Sequence, residues 1–63
     1  MKIEVFKDDQ PVYAGPWEQA PDEVAAYIRS AEAHHGTDNL EAYLRTKGTP
    51  VALAMRGYGL RVL

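Results

Sequence analysis

Residues 51–62 read VALAMRGYGLRV, and the way this stretch is read decides the fold. In VALAM, the large residues Val51, Leu53 and Met55 share one parity and Ala52 and Ala54 the other. That alternation is the period of a half-buried strand. Beyond Gly57 the apolar positions are Leu60 and Val62, so the parity switches from odd to even. A continuous strand would need a bulge to make that switch. A two-residue hairpin with Gly57–Tyr58 at its centre makes it without one, and glycine at the first central position is the type II′ signature. Met55 then faces Leu60 and Leu53 faces Val62, which puts every large apolar residue on one face. The stretch therefore predicts two strands joined by a tight turn.

Working outward, two helical patterns precede it. Val24, Tyr27, Ile28 and Ala31 stand at i, i+3, i+4 and i+7, one apolar stripe of a helix over residues 21–35. Pro21 suits its first turn, and Asp22 and Glu23 suit its positive end. Gly36 is the expected stop. Asp38 and Glu41 have the spacing of a capping box, and Leu40, Tyr43 and Leu44 make the stripe of a second helix of about nine residues, closed by Gly48. Further back, Ile3 and Val5 alternate with Lys2 and Glu4, a half-buried strand. KDDQP at 7–11 is a turn whose loop length, two or three residues, stays open, and VYA at 12–14 returns as a second strand. Trp17 caps the end of the core.

The expectation is an α+β chain forming a single domain over residues 1–63. It is a small two-layer domain of order ββααββ, an antiparallel sheet with two helices on one face. Its core would hold Ile3, Val5, Val12, Trp17, Val24, Tyr27, Ile28, Ala31, Leu40, Leu44, Val51, Leu53, Met55, Leu60 and Val62. The opposite face of the sheet would draw on Phe6, Tyr13, Ala52, Ala54, Arg56 and Arg61. Aromatics, small residues and arginines on an uncovered sheet face read as an interface.

Composition narrows the function classes. With 63 residues and no cysteine, neither disulfides nor thiolate zinc sites can support the fold, so a good core or a homo-oligomer must. The charged start MKIEVFKDD and the absence of a long apolar run predict a cytoplasmic protein with no signal peptide and no membrane segment. The net charge of −2 hides a split. Residues 1–42 carry nine acids against Lys2, Lys7 and Arg29, while residues 43–63 carry Arg45, Lys47, Arg56 and Arg61 and no acid. Either the fold brings the halves together and neutralises them, or a basic edge meets an anion or an acidic partner.

Catalytic chemistry has few residues to use. Glu32 and His35, at i, i+3, could share a metal only with a third ligand, for which Asp38 is the candidate. Histidines in a last helical turn are better explained by the negative end of the helix dipole. Ser30 and His34 can touch, but no third triad member or oxyanion-hole motif accompanies them. Asp8 and Asp9 lack the further oxygens of a calcium loop. No nucleotide-binding glycine motif is present. The expectation is a non-enzymatic protein with no cofactor and no metal.

Two function classes stay in view. In the first, the chain is a small binding or modulator protein acting through protein–protein contacts, of the kind that blocks a larger protein and is sometimes carried by phages or plasmids. Its partner-binding anchors would be Tyr58, Arg56, Arg61, Phe6 and Tyr13. The acidic turn at Asp8–Asp9 and the acidic start of the first helix would serve a basic partner instead. In the second, the basic C-terminal hairpin binds nucleic acid or a nucleotide, with Tyr58 stacking a base.

Overall fold

A computed structural model describes all 63 residues. Strand β1, Lys2–Lys7, is the middle of a three-stranded antiparallel sheet, flanked by β2, Gln10–Pro16, and by β3, Tyr58–Val62. Between β2 and β3 the chain makes a single 3-10 turn at Trp17–Gln19 and three helices. These are α1, Asp22–His35, α2, Thr37–Lys47, and the one-turn α3, Val51–Ala54. The α+β class holds, with three strands in place of four and the order ββαααβ in place of ββααββ.

The alternation in KIEVF works as expected: Ile3 and Val5 are fully buried. Pairing carries their face across the sheet, since Ile3 lies opposite Gly15 and Val62, and Val5 opposite Tyr13 and Leu60. Onto this face α1 lays Val24, Ile28 and Ala31, and α2 lays Leu40 and Leu44. Trp17 closes one end, with Ala20 beside it, and Leu53 of α3 joins the same cluster. Each large member stabilises the fold by about 1.5–3 kcal/mol through burial.

The first hairpin is a two-residue loop. Asp8 and Asp9 at its centre both have positive φ, 51° and 69°, the backbone of a type I′ turn, which Asp tolerates better than most residues. Val12 is the extra residue of a β-bulge, since Tyr13 faces Val5 while Pro11 already faces Phe6. The bulge turns Val12 out of the core, and it is half exposed.

The C-terminal stretch departs most from expectation. Val51–Ala54 is helical, and the Pro50 carbonyl accepts hydrogen bonds from the N–H groups of Leu53 and Ala54, at 3.1 and 2.9 Å. Gly57, with φ +85°, ends this turn and starts β3; it is not the centre of a hairpin. Only Leu53 of the alternating trio is buried, while Val51 and Met55 stand 75% and 83% exposed. The reason is that an apolar-alanine alternation over five residues does not separate strand from helix. Alanine is the best helix former, and proline suits a helix start. Leu60 is buried and Val62 half-buried, so the even parity past Gly57 survives through pairing with β1. Asp38 is likewise no cap: it lies inside the first turn of α2, which begins after Gly36 without a side-chain cap.

Both sheet edges are blunted. β2 carries Pro11 and Pro16, which have no N–H to offer. On β3, the Thr49 hydroxyl accepts from the Leu60 N–H at 3.0 Å and donates to the Leu60 carbonyl at 3.4 Å. One side chain thus stands in for a neighbouring strand.

Two outcomes follow. Thr49→Val should cost about 1 kcal/mol in urea unfolding and raise self-association in light scattering, because it frees the β3 edge. An unchanged midpoint would show that water replaces the hydroxyl. Gly57→Ala should cost more than Gly36→Ala. Both have positive φ, but an added Cβ at Gly57 meets the Asp8 carboxylate, whereas at Gly36 it meets nothing. In an Asp8→Gly background the difference should shrink, read as a coupling energy in a double-mutant cycle.

Candidate functional site

The arginines of the C-terminal half are engaged. Arg45 pairs with Glu41 at 3.2 Å and Arg56 with Glu23 at 3.1 Å, and Arg61 pairs with Glu4 across the sheet. Arg56–Glu23 and Arg61–Glu4 bring the two halves of the charge split together across the fold, while Arg45–Glu41 is a one-turn pair within α2. These pairs are on the surface and contribute about 0–1 kcal/mol each. Their larger effect is on what is left: Asp8, Asp9, Glu18, Asp22, Glu32 and Asp38 have no basic partner.

The five residues expected to bind a partner do not form one patch. Phe6 and Tyr58 line an open groove of about 610 Å³ together with Asp8, Asp9, Ala54 and Gly57. Phe6 packs beside Gly59, its partner across the β1–β3 pair. The Lys7 ammonium sits 4.2 Å from the centre of the Tyr58 ring and donates to the Arg56 carbonyl, so Tyr58 is held rather than free at a tip. Arg56 itself reaches the other way, towards Glu23. Arg61 is on the open sheet face beside Glu4. Tyr13 pairs with Val5 and so shares its core face; its hydroxyl donates to the Pro16 carbonyl at 2.6 Å. Ala52 and Ala54, expected on the open sheet face, belong to α3.

On the far side of α3 lies a second groove, of about 420 Å³. Its walls are α1 and α3: Asp22, Glu23, Ala26 and Tyr27 face Ala52, Leu53 and Arg56. The small side chains of Ala26 and Ala52 open it, and Arg56 lies against Glu23 at its rim. Between the two grooves α3 is a ridge bearing Val51 and Met55, the two most exposed large apolar side chains of the chain. The sequence reading missed this ridge by placing both residues in the core. Pro50 before VALAM and Gly57 after it are boundary signals of the kind used for α1, but they fit a strand followed by a tight turn equally well.

Glu32, His35 and Asp38 do not gather; no group of three metal-ligating side chains does. The ring of His35 instead stacks on Tyr43 at 3.9 Å, and its carbonyl accepts from the Asn39 amide, which ties α1 to α2. No helix is long and apolar enough to cross a membrane.

Beside that stack, hydrogen bonding with Tyr43, then burial, then the charge of a Tyr43 phenolate hold the Tyr27 phenol above its ordinary value of about 10. The folded chain therefore keeps this proton longer than the unfolded chain. The stabilisation is complete below pH 10 and is lost as pH rises through the folded value. Alkaline unfolding followed by circular dichroism should show stability falling above pH 10, with a shallower fall in Tyr43→Phe.

No protein-family model matches the chain, and no curated protein or solved structure is detectably similar to it.

Proposed function

We propose that this chain is a small non-enzymatic binding protein that docks on another protein through the α3 ridge. The observation that carries the reading is the exposure of Val51 and Met55 side by side, well beyond that of the other exposed large apolar side chains, Val12 and Leu63. The accessible surface is 4088 Å². A folded monomer of this mass is expected to show about 4,000 Å². The chain is thus about as compact as a folded monomer of its mass, and the ridge stands out on it. An apolar ridge between two grooves is the relief of a docking surface, and a methionine at its crest adapts to a partner's shape. Tyr58 and Phe6 line the groove along one flank and supply aromatic contacts of the kind that dominate binding energy. A chain with this surface modulates its partner by covering it.

The nucleic-acid reading has less to stand on. Arg45, Arg56 and Arg61 are already paired with glutamates, and Lys7 lies over Tyr58.

Affinity capture with the wild-type protein and with Val51→Glu/Met55→Glu tests the reading. Both side chains point to solvent, so the variant should keep its melting temperature within a few degrees. A protein recovered by the wild type should be lost with the variant. Identical recoveries from the two would overturn the ridge as the binding surface.

A further inference from the structure

We infer that the partner of the α3 ridge is a basic amphipathic segment, with apolar side chains flanked by lysine or arginine on both sides. The inference rests on the docking reading and adds the chemistry of the occupant. The fold sets the acidic turn against one flank of α3, where Asp8 and Asp9 line a groove with Ala54 and Gly57. It sets the acidic start of α1 against the other flank, where Asp22 and Glu23 line a groove with Ala52 and Leu53. The two acidic segments are 14 positions apart in sequence, from Asp8 to Asp22, and α3 lies between them. Glu23 is neutralised by Arg56, while Asp8, Asp9 and Asp22 have no basic partner. An apolar crest with unpaired carboxylates on both sides is complementary to an apolar stripe with cations on both sides.

A second copy of the chain does not supply that complement. Three of its seven bases are held by its own glutamates. Lys7 lies over Tyr58, and Arg29 lies over the Trp17 ring at 5.6 Å. Lys2 and Lys47 remain, and they stand on separate elements, β1 and α2. A nucleic acid or an anionic membrane is repelled by the same carboxylates.

The probes are two synthetic 18-residue amphipathic helical peptides with one leucine stripe, flanked by lysines in one and by glutamates in the other. Each is titrated into the labelled protein and followed by amide chemical shifts. The lysine peptide should bind and move the resonances of residues 8–9, 22–27 and 51–57. Raising salt from 50 to 300 mM should weaken it roughly tenfold. Val51→Ser/Met55→Ser, which removes the apolar crest without adding charge, should weaken it by a similar factor. Asp8→Asn/Asp9→Asn/Asp22→Asn should weaken it several-fold more than Glu18→Gln/Glu32→Gln/Asp38→Asn, which makes the same change in net charge elsewhere. Asparagine tolerates the positive φ of Asp8 and Asp9, so the first triple variant should fold. Equal weakening by the two triples would reduce the attraction to net charge and overturn the inference. Equal binding of the glutamate peptide, or shifts outside the three segments, would overturn it too. If the protein captured through Met55 engages by an acidic or neutral segment, this inference fails while the docking reading stands.

Discussion

β1 has two edges, and both are occupied. Ile3 and Val5 are fully buried because β2 pairs on one side, β3 on the other, and the helices cover their face. Once Tyr58–Val62 takes the second edge, the stretch before it has no place beside β1. Pairing Val51–Met55 with the far side of β3 would need that edge to be open, and the Thr49 hydroxyl already bonds both backbone groups of Leu60 there. The stretch satisfies its backbone locally instead, as one helical turn. The exposed ridge is thus a consequence of where the central strand sits.

The charge distribution has a similar logic. An acid-rich first part and a basic last part meet because β3 returns to lie beside β1 and α3 comes to rest beside the start of α1. Glu4 meets Arg61 by strand register, and Glu23 meets Arg56 across the groove. Such pairs add little stability in water. They remove cations from the surface and leave carboxylates there, and two of the remaining acidic segments border the ridge. Of the two readings the split allowed, neutralisation and a basic edge, the pairing of Arg56 with Glu23 and of Arg61 with Glu4 fits the first.

Much of the architecture was legible residue by residue. Val24, Ile28, Ala31, Leu40 and Leu44 are buried where the helical stripes put them, and both helices end before the expected glycines. These signals are local: a helix registers its periodicity within three or four turns. The site was less legible. Phe6 and Tyr58 do share a groove, but Arg61 and Tyr13 lie elsewhere, because their faces depend on which strand pairs with which. Val12 was displaced by a bulge, which parity alone does not reveal.

The sequence by itself determined the hydrophobic content of β1, the two amphipathic helices with their stops, and a turn within residues 7–11, though not its length. Each rests on interactions within a few residues of one another. Only the tertiary structure decided that Gly57 ends a helix rather than turns a hairpin. It also decided that Val51 and Met55 face solvent and that two distant acidic segments flank them. Those outcomes depend on competition for one strand edge, a long-range constraint that no window of sequence contains.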